Sequence, residues 1–411
     1  MIISLSKNLQ KTFNIKLNKN ILKKDVQQFI EDHINTDINK LLLKPSPFQN
    51  ISVSELFNQI ICKTKSKTKL PSWYENKDII YPSPLNIEQT SSEITAQYKS
   101  ELVKGKYLVD LSGGFGVDTY YFSKQFEKVI HIEYNNQLSE IANHNFKVLG
   151  SNNIETHCAD SLKLLPKLVD QIDCIYVDPS RRNDLKGKVF LFNDCVPNVV
   201  KHIELLFNVS KVILIKSSPL VDLKSGINEL KHVAVIYIVA VKNEVKELLW
   251  LLDKNNKKPI EIVTYNYKSS SLPNETFSFD YLQESHQDVI YKEPLNFLYE
   301  PNHAILKSGG FKMVAKIFNV YKLEKNSHLY TSDKLVNNFP GRQFKILEIF
   351  NSLNKDLKQF KNQKINISTR NFPMSVSEIR KKFKILDGGE LYIFFTTNLL
   401  GSKTALLCEK A

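Results

Sequence analysis

The 411-residue chain is poor in arginine and cysteine and has no long apolar run. Its five cysteines, Cys62, Cys158, Cys174, Cys195 and Cys408, are odd in number and scattered, with no Cys-x-x-Cys pair. That spacing suggests neither a disulfide framework nor a zinc site. The nine histidines do not pair at metal spacing, so no metal is expected. No stretch approaches the ~18–20 apolar residues of a membrane-spanning helix. The start, Met1-Ile2-Ile3-Ser4-Leu5-Ser6-Lys7, lacks the layout of a signal peptide. A cytoplasmic globular protein of about two to four domains, with no membrane partner, is the expectation.

Only Arg181, Arg182, Arg342, Arg370 and Arg380 stand against 51 lysines. A chain that otherwise uses lysine keeps arginine where a planar, forked, permanent charge is needed. Two of the five are adjacent, directly after Asp178-Pro179. The net charge of +13 is unevenly spread. Residues 1–84 carry 13 lysines against 7 acids, and residues 337–411 carry 13 basic residues against 6 acids, so the stretch between them balances. Basic flanks around a neutral centre suit an anionic macromolecule, most simply nucleic acid. A lysine-rich surface composition is the bland alternative.

The chain is organised around Tyr107–Gly116, Tyr-Leu-Val-Asp-Leu-Ser-Gly-Gly-Phe-Gly. An apolar run ends in Asp110, Gly113, Gly114 and Gly116 follow, and a helical pattern begins at Val117. Such a strand, glycine turn and helix start lets backbone approach a ligand and points free N–H groups at an anionic group. Three further apolar runs end in acids: Lys128–Ile132 before Glu133, Ile154–Ala159 before Asp160, and Ile172–Val177 before Asp178. Glu133 is placed to receive ribose hydroxyls. Asp160, followed by Ser161, could receive an adenine amine. Four acids then line one sheet edge, where ligands bind in open α/β sheets. The glycine spacing is not that of the nicotinamide fingerprint.

Along the chain, residues 1–84 read as a mainly helical basic region, with a helix at Asp25–Ile38. Lys63, Lys65, Lys67 and Lys69 alternate before Trp73-Tyr74. In an extended stretch they would share one face and could hold phosphates beside a stacked base; the other reading is a solvated edge. Pro82-Ser83-Pro84 marks a boundary. Ser91 or Ser92 would cap the next helix, while Thr90, Ser92 and Thr95 are candidates for the far end of a cofactor. Residues 85–255 hold the alternating α/β pattern. It includes helices at Gln137–Leu149, Ser161–Val169 and Val196–Phe207, a fifth strand ending at Lys216, and a closing hairpin at Val233–Val241 and Glu247–Leu252. A linker and small module occupy 256–336. The tail, 337–411, reads as helix (Gln343–Leu353), strand (Lys364–Ser368), helix (Ser375–Phe383) and a terminal strand pair.

These features resemble bacterial class I S-adenosylmethionine (SAM) methyltransferases that end in a THUMP-like domain. The resemblance rests on Glu88–Glu93 with Thr95-Ala96 and Tyr98-Lys99, Asp110–Asp118, Asp178-Pro-Ser-Arg-Arg182, Glu300-Pro301-Asn302, Ser368–Pro373 and Asp387-Gly388-Gly389. It implies a Rossmann-like, seven-stranded doubly wound sheet, a small ferredoxin-like element and a THUMP-like tail. THUMP domains elsewhere bind RNA, commonly tRNA. SAM is the implied cofactor, held by Asp110, Ser112, Gly113, Gly114, Gly116, Asp118, Glu133, Asp160 and Ser161 with Thr90, Ser92 and Thr95. RNA, tRNA or rRNA, is the implied substrate, gripped by Arg342, Arg370, Arg380, Lys381 and Lys382.

The fourth motif sets the chemistry. Amino-directed nucleic-acid methyltransferases carry Asp/Asn-Pro-Pro-aromatic there. This chain keeps Asp178 and Pro179 but has Ser180 and Arg181 in place of the second proline and the aromatic. Asp178, Pro179, Arg181 and Arg182 are the expected catalytic group. Asp178 would orient the acceptor, and an arginine plane would stack on a base or hold a phosphate. Two other readings stay open: an RNA-binding protein with a non-catalytic SAM pocket, and a methyltransferase of protein or small molecules.

Overall fold

The structure, a computed structural model, describes residues 17–34, 36, 41, 45–168, 171–181 and 191–411. The chain forms two compact units. The first runs to Ser217 and adds Lys224–His232 and Leu251–Asn255; the second comprises Ser218–Leu223, Val233–Trp250 and Asn256–Ala411.

The first unit begins with the helices Lys24–Asp32, Val53–Lys69, Pro71–Glu75, Pro84–Gln89 and Glu93–Glu101. The first is shorter than expected, and Ile38 lies outside the described residues. Val53–Lys69 starts at a capping box, with the Ser52 hydroxyl on the Glu55 N–H and the Glu55 carboxylate on the Ser52 N–H. This helix carries Lys63, Lys65, Lys67 and Lys69, so alternate lysines diverge and the extended lysine row is corrected. Lys63 is buried against Glu31, Lys65 pairs with Glu88, and Lys69 donates to the carbonyls of Ile87 and Glu88. Trp73 is fully buried and packs on Phe115, so it is no platform for a base.

The strands of this unit are β1 (Gly105–Asp110), β2 (Phe126–Glu133), β3 (Ile154–Cys158), β4 (Ile172–Val177), the short pair β5 (Ser180–Arg181) and β6 (Cys195–Val196), and β7 (Ser210–Ser217). The order β7-β4-β1-β2-β3 is parallel throughout. The apolar runs of β1 and β4 are buried at their C-terminal halves, as strands covered on both faces require. Val117–Phe122, Asn136–Val148, Ser161–Leu164 and Val199–Val209 are the helices between strands. Beyond Leu164 a 3-10 turn takes over, and Val169 lies outside the described residues. The chain moves to one side from β1 and returns to its other side with β4. This switch point opens a crevice at the carboxyl ends of β1 and β4.

The second unit holds β8 (Val233–Val241), β9 (Glu244–Asp253, whose end belongs to the first unit), β10 (Glu261–Tyr267) and β11 (Glu275–Asp280), in the order β11-β10-β8-β9. The β8–β9 turn uses Lys242 and Asn243 at φ 51° and 64°, the left-handed pair that a two-residue hairpin demands. The large sheet thus has nine strands rather than the expected seven. The two additions, β10 parallel to β8 and β11 antiparallel to β10, lie beyond Asn255.

The second sheet comprises β12 (Phe297–Pro301), β13 (Tyr321–Lys322), β14 (Tyr330–Ser332), β15 (Gly341–Phe350), β16 (Asn366–Thr369), β17 (Tyr392–Thr397) and β18 (Lys403–Lys410). Its order is β13-β14-β12-β15-β18-β17-β16. β15 corrects the expected helix at Gln343–Leu353. It pairs with β12 on one side and, through a bulge at Ile346/Glu348, with β18 on the other. The strand β16, the helix Val376–Phe383 and the pair β17–β18 agree with expectation. Among the described residues, no helix is long and apolar enough to cross a membrane.

Candidate active site

The loop after β1 is shaped by what lies beneath it. A Cβ on Gly113 would fall 2.3 Å from His131 Nε2, and one on Gly116 would fall 2.4 Å from Phe146. Gly114 and Gly116 take φ of 58° and 89°, which side chains rarely adopt. His131, on β2, is fully buried under the loop, and burial lowers its pKa to about 4. The imidazole is therefore neutral, and the loop rests on an uncharged ring.

Asp110 is also buried, at 1% exposure. Its Oδ1 accepts from the Ser112 N–H at 2.9 Å and from the Ser112 hydroxyl at 3.2 Å, and its Oδ2 accepts from the Thr119 hydroxyl at 2.6 Å. Burial pushes its pKa up to about 7, and these hydrogen bonds oppose the rise. Asp110 holds the loop from within. Ser112 then reaches across the crevice: its Oγ accepts from the Asp178 N–H at 2.6 Å. Asp178 in turn pairs with Lys216, near the end of β7. β1, β4 and β7 are linked at their ends by one chain of polar contacts.

A second cluster surrounds Asp118, in the first turn of Val117–Phe122. Lys99, fully buried, donates to Asp118 Oδ1 at 2.9 Å and to the Ser91 hydroxyl at 2.9 Å. Asp118 Oδ2 accepts from Ser91 at 3.0 Å and from the Tyr176 hydroxyl at 2.6 Å. Burial alone would raise the Asp118 pKa. The ammonium groups of Lys99 and Lys216 and the Tyr176 hydroxyl outweigh it and hold the carboxyl below its usual range.

At the end of β2, Glu133 accepts from Gly114 N–H at 2.9 Å and from Asn135 N–H at 2.7 Å. Each carboxylate oxygen has a second lone pair, enough for a ribose diol. Tyr134 beside it is 81% exposed and presents an apolar ring to solvent. Asp160 caps the helix that Ser161 opens and accepts from Lys163 N–H at 3.4 Å. On the Gly114 side the loop is open, since a Cβ there would meet only the Ser112 carbonyl, at 3.6 Å. This arrangement, with the Glu133 carboxylate as acceptor and the exposed Tyr134 ring beside it, fits a ribonucleoside cofactor.

The other expected residues take the following places. Ser92 caps Glu93–Glu101, and the Thr95 hydroxyl donates to its carbonyl at 3.1 Å. Thr90 ends the helix Pro84–Gln89. Pro179 is buried, Arg181 closes β5, and Arg182 lies outside the described residues. In the second unit, Arg342 and Arg370 converge on Glu300, whose side chain is only 4% exposed. Arg342 Nε donates to Oε2 at 2.5 Å, and Arg370 Nη2 lies 2.6 Å from Oε1. Arg380 pairs with Asp387 and donates to the carbonyls of Ile365 and Ile385. Lys381 and Lys382 are exposed on Val376–Phe383.

Sequence reasoning did not single out Tyr134 or Tyr176, and it had Lys99 only within the Tyr98-Lys99 part of the resemblance. Lys216 had a signal, since it stands where the fifth strand runs into the crevice.

Residues 105–181 match a family model described as RNA cap guanine-N2 methyltransferase. Residues 297–340 match a ferredoxin-like domain, and residues 341–410 match a THUMP domain-like family. No curated protein matches the chain at a significant level. Among solved structures, that of a "putative methyltransferase" from Porphyromonas gingivalis W83 is 32% identical. The match covers 96% of this chain and 99% of that one, with a TM-score of 0.84. An rRNA methylase from Streptococcus thermophilus is 17% identical, covering 40% of this chain and 95% of that one, with a TM-score of 0.29. The tRNA m1G37 methyltransferase of M. jannaschii is 14% identical, covering 43% and 52%, with a TM-score of 0.30. The P. gingivalis match spans almost the whole of both chains, and this chain belongs to the same family: methyltransferases that carry a ferredoxin-like domain and a THUMP-like C-terminal domain.

Proposed function

We propose that the chain is a SAM-dependent RNA methyltransferase acting on a structured RNA such as tRNA or rRNA. The observation that carries the RNA reading is the THUMP-like match at residues 341–410, on a module that exposes Lys381 and Lys382 on one helix. The basic surplus of both flanks supports it.

The cofactor supplies a methyl group already activated by its sulfonium. The chain's residues bind, orient and exclude water. Tyr134 and Glu133 hold the nucleoside, with Asp160 and Ser161 beside the base. Gly113, Gly114 and Gly116 let the backbone approach. Asp110 and Ser112 fix the loop. Asp118, locked by Lys99 and Tyr176, anchors the helix that follows the loop. Asp178 faces the acceptor, with Pro179 beside it, and Arg181 and Arg182, which follow in the sequence, complete the catalytic group. Lys381, Lys382 and Arg380 meet the RNA backbone. Arg342 and Arg370 contribute by keeping Glu300 neutralised, with their outer edges toward solvent. In this division residues 1–84 form a helical region, 85–255 the methyltransferase domain, 256–336 a linker and ferredoxin-like module, and 337–411 the THUMP-like domain.

The test is incubation of the purified chain with tritiated SAM and RNA from a strain lacking the gene. Label in a discrete RNA band is expected. Label absent from RNA, with SAM binding present by calorimetry, rejects the RNA reading.

A further inference from the structure

We infer that the acceptor atom is an oxygen, the ribose 2′-hydroxyl of RNA, and that Lys216 acts on it together with Asp178. The inference rests on the proposed RNA substrate and names the atom that substrate offers.

The argument begins with charge. Asp178 does not stand as a lone carboxylate at the strand end: its Oδ2 is paired with the Lys216 ammonium. The pair is half-buried, with the Lys216 side chain 14% exposed and that of Asp178 35% exposed, so both can meet a substrate. An amine acceptor needs the opposite setting. Its N–H groups need acceptors, and its nitrogen gains positive charge as it takes a methyl group. A fixed ammonium beside that nitrogen opposes the reaction. A hydroxyl acceptor gains negative charge as it gives up its proton, and the same ammonium stabilises that change. Asp178 stays close enough to take the proton.

Two further observations agree. Residues 178–181, Asp-Pro-Ser-Arg, contain no aromatic ring to hold the face of an extruded base, and Ser180 is exposed. Lys216 interacts electrostatically with a second carboxylate besides Asp178. That carboxylate is Asp118, which Lys99 and Tyr176 lock in place.

In the step, the 2′-oxygen gives its proton to the Asp178 carboxylate and bonds to the methyl carbon, while the carbon–sulfur bond breaks with its electron pair kept by sulfur. Lys216 donates to the oxygen throughout and keeps its own protons.

The experiment uses the full chain, tritiated SAM and RNA from a strain lacking the gene, followed by alkaline hydrolysis and nucleoside analysis. Label in alkali-resistant dinucleotides that yield 2′-O-methyl nucleosides is expected. Label on a base nitrogen overturns the inference and leaves the RNA reading standing. No label in any RNA overturns both. Lys216→Met is expected to bind S-adenosylhomocysteine within about 3-fold of wild type by calorimetry and to lose roughly 100-fold or more in RNA labelling. Lys216→Arg is expected to keep part of the rate. Lys216→Met labelling RNA at the wild-type rate also overturns the inference. Should Lys216→Met fail to fold, product analysis on the unaltered chain still decides.

Discussion

The Ser112 hydroxyl accepts the backbone N–H of Asp178 at 2.6 Å and donates to the Asp110 carboxylate at 3.2 Å. One small side chain thereby sets the distance between the loop after β1 and the end of β4. Ser112→Ala removes both contacts and leaves the Asp178 N–H unsatisfied. The expected loss is about 1–2 kcal/mol of stability. Because the Asp178 backbone loosens, turnover is expected to fall more than S-adenosylhomocysteine affinity. Urea denaturation reads the first effect, and calorimetry against single-turnover labelling reads the second. Unchanged turnover would mean that β4 alone positions Asp178.

Gly113 and His131 are coupled by contact. Gly113→Ala places a Cβ into the imidazole. Overpacking of this kind costs about 1–3 kcal/mol. His131→Ala should lose stability by leaving a cavity. The double variant gives the new methyl somewhere to sit. A double-mutant cycle in urea is expected to show a favourable coupling of about 1 kcal/mol or more. Strict additivity would show that the loop moves away from the ring instead.

The same neighbourhood sets opposing pH dependences. Asp110 has its pKa raised from 3.8 to about 7 by burial, so between these values the folded state binds more protons than the unfolded chain, and stability falls as pH rises. His131 has its pKa lowered from 6.5 to about 4, so between these values the unfolded chain binds more protons, and stability falls as pH drops. From pH 4 to 6.5 the two slopes oppose each other. Asp110→Asn removes the first and exposes the second. Its urea midpoint is expected to decline more steeply than that of the wild type from pH 6.5 down to 4.5. A parallel decline in both proteins would show that Asp110 does not stay protonated in the folded state.

How far the sequence foretold this site depends on how local each cause is. The strands and their terminal acids were legible because each is a short apolar run closed by a carboxylate. Ser52 and Glu55 form the capping box that opens the helix Val53–Lys69, while the alternation of Lys63 to Lys69 would share a face only in an extended stretch. β15 was misread because Phe344, Leu347 and Phe350 repeat at a helical spacing of three. Pairing with both β12 and β18 overrides that local preference. Arg342 and Arg370 were recognised as special, but their partner, Glu300, lies 42 and 70 residues away and no periodicity reveals it. The pairings of Lys216 with Asp178 and of Lys99 with Asp118 were hidden for the same reason. In a chain with 51 lysines, only tertiary packing separates a buried ammonium from a solvated one.

Lys99 supplies the sharpest case. Its side chain is 0% exposed, and its ammonium is bonded to Asp118 and Ser91. Lys99→Met keeps the volume of the stem but leaves Asp118 buried with one cation fewer. Breaking a buried pair from one side costs about 3–5 kcal/mol. Asp118 is then expected to titrate at higher pH, because the leading charge that opposes its desolvation is gone. In the wild type, Asp118 contributes stability above the usual carboxylate pKa and loses it as pH falls through the lowered folded value. In Lys99→Met that contribution disappears, so acid should hurt the variant less than the wild type. Asp118→Asn in the Lys99→Met background removes the stranded charge and is expected to recover part of the loss. Urea melts of the four proteins at pH 7 and pH 4.5 test this. If Lys99→Met costs under about 1 kcal/mol at pH 7, the ammonium does not neutralise Asp118 as described.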